Sequence, residues 1–196
     1  MTTRWRLHRH NEAGSILVIA MVSLALLTVI GIAAITTGTL EREISGNEKT
    51  YQEAFYAAEL GLAAGETTLE SFPSRSSMRE GVQPGSYASG TLQFNAEKYQ
   101  LEIKTPADPA WRTVMWTEDH TDAAKIDKNK VPDGLSRVAD VPRYIIEERE
   151  FVPDSIGFGV TYGKPGVYRF TISAHGTGSS KAAQALLETI YAKRYD

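Results

Sequence analysis

The chain opens with a short polar segment that gives way to a long apolar one. From Ser15 to Leu40 the sequence contains no charged residue. The apolar core, residues 15–35, has 21 residues, and a rise of about 1.5 Å per residue makes such a helix about 31 Å long. This length matches the hydrocarbon core of a bilayer, so the pattern predicts a membrane-spanning helix near the N-terminus.

A helical period continues beyond the apolar segment. Apolar residues recur at spacings of three, four or seven, and alanines add strong helix formers, which predicts one helix over 16–71. Pro73 cannot continue a helix and marks its end. We expect the second, amphipathic half to pack on a globular head. The apolar stripe consists of Leu40, Ile44, Tyr51, Phe55, Ala58, Leu62 and Leu69.

After Ser71 the composition changes to glycine, serine and proline punctuation between short β-rich runs. Alternation of apolar and polar residues predicts half-buried strands, two of which form a hairpin. The last apolar run, 182–194, is ambiguous, because its alanines and leucines favour a helix whereas its Thr-Ile-Tyr sequence favours a strand. A polar, irregular insertion occupies about 106–142. The predicted strands are 91–94 and 99–104, which form the hairpin, 143–152 and 166–174.

The polar leader differs from that of a secretory signal peptide. Such a peptide has a shorter apolar region, with small residues at a cleavage site after it. Here the small residues 13–14 come before the apolar run, so cleavage after Gly14 would leave the membrane helix on the mature protein. Arg4, Arg6 and Arg9 precede it, with Glu12 as the only acid. By the positive-inside rule the leader is cytoplasmic and the remaining residues face outward.

Composition narrows the class of protein. The 196 residues leave room for one extracytoplasmic domain after the membrane helix. The net charge is −3, with +2 in the leader and −5 beyond Gly14, which gives no basic footprint for nucleic acid. The absence of cysteine excludes thiol catalysis, disulfides and thiolate metal sites.

Motifs for catalysis are missing or incomplete. The four histidines show no metal-ligand spacing. Gly163-Lys164 fails as a P-loop, because Phe158 stands where the first glycine is needed and Pro165 replaces the hydroxyl residue. The glycine-rich stretch 176–180 lies between two strands and is better explained as a tight hairpin turn. No catalytic residue, cofactor or metal is therefore assigned.

Two features leave alternatives open. Asp127, Asn129 and Asp133 have the spacing of the first ligands of a calcium loop, but an EF-hand would need glutamate where Val138 stands, so a solvated turn is the competing interpretation. Four of the aromatic residues of the head could line a partner surface or fill its own core. These aromatics are Tyr87, Trp111, Trp116 and Tyr162.

The N-terminal part of the chain resembles two sequence signatures of type IV pilins, which follow one another along the sequence. Gly14-Ser15 before the apolar run resembles the class III signal of type IV prepilins, in which a dedicated peptidase cuts after the glycine. The stem that follows resembles the N-terminal signature of PilX-type minor pilins, over residues 13–66. The matching stem positions are Thr39, Leu40, Glu41, Gly46, Asn47, Gln52, Ala54, Phe55, Ala57, Ala58 and Glu59.

The resemblance implies an α+β pilin architecture, a long helix on an antiparallel sheet closed by a β-hairpin, which favours a strand over 182–194. It also implies a structural, non-enzymatic subunit, cut between Gly14 and Ser15 and methylated at Ser15. The helix positions expected to pack in a filament are Ile19, Leu40, Glu41, Gly46, Asn47, Phe55 and Glu59. The implied organisation is a leader (1–14), a transmembrane and polymerisation helix (15–40), its amphipathic continuation (41–72) and a β-rich head (73–196).

One position departs from the pilin pattern. Pilin-like subunits typically carry a glutamate five residues into the mature chain, which pairs with the N-terminal amine of a neighbour inside the apolar filament. Counted from Ser15, the fifth residue is Ile19. Because an unpaired buried charge is heavily penalised, this subunit cannot supply that pairing. The hypothesis that follows is a subunit at or near the filament tip, which primes or caps assembly.

The expected partners are the other minor pilins and the major pilin, the prepilin peptidase, the pilus assembly platform and a tip adhesin. The expected location is the bacterial inner membrane, with one span and a periplasmic head, and later the pilus tip. Two rivals remain. One is the tip pseudopilin of type II secretion, and the other is a membrane-anchored periplasmic enzyme or binding module with an uncleaved signal anchor.

Overall fold

The computed structural model describes residues 13–73, 85–98, 100–105, 110–116, 122–154 and 166–194. Its dominant element is helix α1, Ala13–Ser71, which confirms the long helix predicted from the apolar period. Proline at position 73 follows the end of α1, as expected of a residue that lacks the backbone N–H. The chain divides into two compact units, 1–46 and 47–196. The first contains the apolar part of α1, and the second contains the rest of α1 and the head.

The described part of the head is built from eight strands in two sheets. The main sheet has the order β1-β6-β7-β8, with β5 also paired to β6, and the small sheet has the order β2-β3-β4. Every pairing is antiparallel except that of β1 with β6. The strands are β1 (Ser86–Tyr87), β2 (Leu92–Asn95), β3 (Gln100–Ile103), β4 (Arg112–Thr113), β5 (Ala124–Lys125), β6 (Arg143–Pro153), β7 (Gly166–Thr177) and β8 (Gln184–Arg194).

Strand β8 resolves the ambiguity of the last apolar run. It pairs with β7 from Thr177↔Gln184 to Val167↔Arg194, so the alanines and leucines that favour a helix are overridden by a continuous backbone ladder. The predicted hairpin over 91–104 is also present, with Asn95 opposite Gln100 next to the turn. With the long helix, these strands confirm the α+β class.

The two faces of the main sheet are covered by different layers. On one face, Ile146 and Phe170 pack with Leu69 of α1 in the larger hydrophobic cluster. On the other, Ile145 packs with Leu101 and other residues around the small sheet. The first five residues of β6 are therefore all buried, whereas the alternating sequence predicts a half-buried strand. The small sheet is the reason, because it covers the face expected to meet water.

The irregular stretch around 106–142 contributes to the fold through short elements. Besides β4 and β5, it contains two 3-10 turns, Lys128–Lys130 and Asp133–Leu135. Val114 and Ala123 are buried in the cluster beneath the small sheet. The stretch thus supplies apolar side chains to the second layer of the core.

Candidate functional site

The apolar part of α1 presents its large side chains outward in the isolated chain. Ile19, for example, is 62% exposed. Among the described residues, α1 is the one helix long and apolar enough to cross a membrane. Gly14 and Ser15 lie in its first turn. An exposed apolar helix of this length is compatible with a membrane anchor.

The threonine hydroxyl groups in this part of α1 donate hydrogen bonds within the helix. Thr28 Oγ1 donates to the Ala25 carbonyl at 2.7 Å. Thr36 and Thr37 donate to carbonyls four residues earlier, at 2.9 and 3.0 Å. Internal hydrogen bonds of this kind remove the cost of placing a hydroxyl in hydrocarbon, where water is not available as a partner.

The stem residues predicted to pack in a filament lie on the surface of this chain. Leu40, Glu41, Gly46, Asn47 and Glu59 are all exposed. A Cβ built at position 46 would meet nothing within 4 Å. Within each of the two units, these residues are therefore accessible on the exposed side of α1.

The buried face of α1 coincides only in part with the predicted apolar stripe. Of that stripe, Ala58 and Leu69 are fully buried, whereas Tyr51 and Phe55 are 56% and 43% exposed. Where α1 passes over Gly176 of the main sheet, the contacting residues are small, and they include Ala54 and Ala57. The large aromatics of the stripe therefore flank the contact with the head instead of filling it.

Glycines make this contact close. A Cβ at Gly61 would lie 2.8 Å from the Ala174 Cβ, and one at Gly65 would lie 2.6 Å from Ile172 Cγ2. From the sheet side, a Cβ at Gly176 would overlap the backbone of α1. We call these four small residues, Gly61, Gly65, Ala174 and Gly176, the glycine seam. The spacing of four between Gly61 and Gly65 on α1 is the sequence signal that could have revealed the glycine seam.

The prediction of a hairpin turn over 176–180 is confirmed in part, because 178–183 connect the antiparallel strands β7 and β8. Gly176 lies within β7. The described glycines with positive φ are Gly85 and Gly90, so neither Gly176 nor Gly178 is there for a left-handed turn. Both glycines are needed because α1 passes directly over them, where any side chain would collide with its backbone.

Hydrogen bonds hold α1 at two points along the β7–β8 hairpin. At the β7–β8 connection, the Ser179 backbone N–H donates to Glu53 Oε2 of α1 at 3.3 Å. Near the end of α1, Lys193 Nζ donates to the carbonyls of Leu69, Glu70 and Phe72 at 2.7, 2.9 and 2.8 Å. The Lys193 ammonium group thus donates to carbonyls at the helix end that have no partner inside the helix. Its positive charge also interacts favourably with the negative end of the helix dipole.

Tyr191 reinforces the same end of the helix. Its hydroxyl donates to Glu70 Oε1 at 2.9 Å. The hydrogen bond to Glu70, with smaller contributions from burial and neighbouring charge, raises the pKa of Tyr191. The hydroxyl thus stays protonated as a donor.

A buried carboxylate joins the two sheets. Glu147 is fully buried, and its Oε1 accepts from the backbone N–H groups of Thr91 and Leu92, each at 3.1 Å. Arg149 Nε lies 3.4 Å from Oε2. Because β6 carries Glu147 and β2 carries Leu92, this carboxylate fixes the small sheet on the main one. The sequence analysis does not predict this buried carboxylate, because two adjacent glutamates in an alternating strand are normally expected to be exposed to solvent.

Of the four aromatic residues whose role the sequence leaves open, Tyr87 and Trp116 pack against the smaller hydrophobic cluster of the head. Trp116 stacks on His175 with ring centroids 5.2 Å apart, and the Tyr87 hydroxyl donates to the Asp122 carbonyl at 2.8 Å. Trp111 is 39% exposed, with Lys104 Nζ 4.7 Å from its ring centroid. Tyr162 lies outside the described residues.

The spacing proposed for a calcium loop has a local explanation. Asp127 Oδ1 accepts from the Asn129 backbone N–H at 3.0 Å and caps a 3-10 turn, and Asp133 begins the next turn. In the part of the chain that the structure describes, no cluster of three acidic or histidine side chains could hold a metal ion. The P-loop candidate at Gly163-Lys164 lies outside that part.

Comparison with known families gives two matches along the chain. Residues 13–63 match the family model described as PilX N-terminal. Residues 82–193 match the model described as Type IV pilus assembly protein PilX C-term. No curated protein and no solved structure matches the chain significantly. The first match covers the apolar and stem parts of α1, and the second covers the described strands of the head.

Proposed function

Because the chain belongs to the PilX family and is a minor pilin of type IV pili, we propose that it primes or caps pilus assembly within a tip-associated complex of minor pilins. It acts as a structural subunit in this proposal. The observation that carries the proposal is the residue five positions after Gly14. Ile19 is an exposed apolar residue at the position where a shaft subunit needs a carboxylate.

The missing carboxylate sets the order of addition. A subunit entering below another one must neutralise the amine of the subunit already present, and a charge left unpaired in the apolar filament core is heavily penalised. With Ile19 this subunit cannot neutralise such an amine. It can, however, be the first subunit, because its own amine is then paired by the next one.

Processing at the N-terminus precedes this step in the proposal. The prepilin peptidase cuts between Gly14 and Ser15 at the cytoplasmic face of the inner membrane, and Ser15 is then methylated. The head lies in the periplasm until the assembly platform extracts the subunit into the filament. The absence of charge between Ser15 and Leu40 supports both locations, since membrane and filament core are apolar.

The exposed stem surface is the proposed contact with neighbouring subunits. Phe55 and Glu59 are one helical turn apart and are not covered by the head. Other minor pilins and the major pilin cover this surface in the proposal, and the free end of the tip presents an adhesin. The exposed aromatics beside the glycine seam support such a use, since large apolar groups left on a surface are typical of interaction sites.

The position in the filament can be tested with Ile19→Glu, with Val18→Glu as a control that adds the same charge one residue earlier. We expect a clean deletion to lower the number of pili and wild-type protein to label only filament ends in immunogold microscopy. Ile19→Glu should spread labelling along the shaft, and Val18→Glu should not. Wild-type pilus numbers in the deletion, or regular labelling along the shaft by the wild-type protein, would refute the proposal.

Processing can be tested separately by intact mass of the purified protein. The expected mass lacks residues 1–14 and carries a methyl group on Ser15. Gly14→Val should retain the leader, because the peptidase requires a small residue at the cut. A retained leader in wild-type protein, from cells with active peptidase, would favour a membrane-anchored module instead.

A further inference from the structure

A cavity of about 260 Å³ opens between the two sheets of the head. The small sheet contributes residues of β3 and β4 to one side, and the β7–β8 end of the main sheet contributes the other. Trp116, just after β4, lies between them. The lining residues are Gln100, Leu101, Thr113, Val114, Trp116, His175, Gln184 and Leu186.

The side chains that line this cavity carry no formal charge. None of the eight lining residues is an aspartate, glutamate, lysine or arginine, in a protein of which 23% of residues carry such side chains. The polar groups are two amides, a hydroxyl and an imidazole, and the rest of the wall is aliphatic or aromatic. A small set of polar groups on an otherwise apolar wall is typical of a ligand pocket.

The polar groups are held in place by one another. Thr113 Oγ1 donates to Gln100 Oε1 at 3.2 Å. Gln184 Nε2 donates to the Lys181 carbonyl at 2.8 Å, and Gln184 Oε1 lies 3.4 Å from His175 Nε2. Such contacts fix the amides before a ligand arrives, which lowers the entropy lost on binding.

The aromatic wall is also fixed. Trp116 and His175 stack at an interplanar angle of 16°. Burial is the main cause that lowers the pKa of His175, and the nearby Arg143 charge lowers it further, while Gln184 and Asp140 act in the opposite direction. The imidazole is therefore neutral at neutral pH, and the pocket remains uncharged when it is empty.

We propose that this cavity binds a neutral sugar ring. Sugar hydroxyls donate and accept, so they match amide, hydroxyl and imidazole groups, while the C–H face of the ring matches the indole and leucine wall. A charged ligand would lose its hydration without a counter-charge, and a purely apolar one would leave the polar groups unpaired. A cavity somewhat below the usual range of about 300–1,000 Å³ suits one ring better than a drug-sized ligand.

The test uses the full chain in detergent micelles, labelled with 5-fluorotryptophan. The protein has three tryptophans, so ¹⁹F NMR gives few resonances, and Trp116→Phe assigns the one in the pocket. The probes are the methyl glycosides of glucose, galactose and N-acetylglucosamine. We expect at least one to shift the Trp116 resonance saturably, with a dissociation constant of about 1–10 mM, as befits so small a ligand. Comparing the N-acetylated glycoside with the two plain ones shows which class of neutral sugar ring the cavity prefers.

Two near-isosteric variants test the polar groups. Thr113→Val and Gln184→Leu should each weaken binding about tenfold, because each leaves a ligand hydroxyl without its partner. Gln93→Leu, on the neighbouring strand β2 and outside the cavity, is the matched control and should bind as wild type. Near-UV circular dichroism checks that each variant is folded.

Three results would overturn the proposal. The first is that none of the three glycosides shifts the Trp116 resonance. The second is that galacturonate or acetamide shifts it as strongly as they do, since the cavity then selects a charge or a peptide-like amide and not a sugar ring. The third is that folded Thr113→Val and Gln184→Leu variants bind as well as the Gln93→Leu control.

Discussion

The glycine seam predicts a large penalty for a single methyl group. In Gly176→Ala the new Cβ would overlap the Ala58 nitrogen and the Ala54 carbonyl oxygen, and it would lie 2.8 Å from the Ala57 carbonyl carbon. Ordinary van der Waals contact begins at 3.4 Å. Because the obstacle is helix backbone and not a flexible side chain, α1 and β7 must separate to admit the methyl.

The size of the penalty follows from that separation. A gap of 0.5–1 Å forfeits about a quarter to a half of the dispersion attraction along the seam, and overpacking costs typically about 1–3 kcal/mol. We expect about 3 kcal/mol for Gly176→Ala, since both sides of the contact are backbone. For a unit of this size each kcal/mol lowers Tm by about 2–4 °C, so the expected loss is roughly 6–12 °C.

The assay is a thermal melt of the purified full chain in detergent micelles, followed by near-UV circular dichroism of the head. Gly134→Ala is the matched control, because a Cβ there meets nothing within 4 Å. Its Tm should stay close to that of the wild type. The reasoning is wrong if Gly176→Ala melts with Gly134→Ala, because the seam would then have room for a side chain.

Three further predictions concern groups that hold the head together. Lys193→Met should lower the free energy of unfolding by about 1–2 kcal/mol, because it removes the cation that caps the end of α1. The control Lys181→Met, which removes an exposed ion pair, should cost less than about 1 kcal/mol. Both values come from urea unfolding, and equal losses would contradict a capping role for Lys193. Glu147→Leu should cost about 2–4 kcal/mol, because two buried N–H groups lose their acceptor, and Glu147→Gln, which keeps an oxygen, should cost less; the reverse order would be contradictory. The pKa of His175 lies below 6.5, so its contribution to stability is present above about pH 6.5 and is lost as the pH falls; His175→Gln should flatten this part of the stability–pH curve, and an unchanged slope would count against it.

Sequence periodicity predicts that α1 exists but only part of the face that it buries. The apolar stripe through Tyr51 and Phe55 is the strongest signal, yet close contact with the sheet selects Ala54, Ala57 and glycine instead. Large apolar residues mark a hydrophobic surface, and the pattern alone does not say whether the same chain or a neighbour covers it. This is why the buried face differs in part from the prediction.

Other features depend on contacts distant in sequence. The helix or strand choice at 182–194 is decided by pairing with β7, and the burial of Glu147 is decided by a sheet that forms some 55 residues earlier in the chain. Neither leaves a local pattern. Gly14, Ser15 and Ile19 are different, because their proposed roles involve a peptidase and neighbouring subunits, so they stay predictions from the sequence.

The contacts of Tyr191 and Lys193 with the end of α1 have a consequence for biosynthesis. Tyr191 and its partner Glu70 are 121 residues apart, and at about 5–20 residues per second the ribosome needs roughly ten seconds to make the intervening chain. The stem of α1 is therefore synthesised well before the hairpin that covers it. A waiting surface of alanine and glycine attracts other chains less than one of leucine and phenylalanine would. The small residues that allow close packing thus also leave less apolar surface uncovered on the growing chain until its last strand is made.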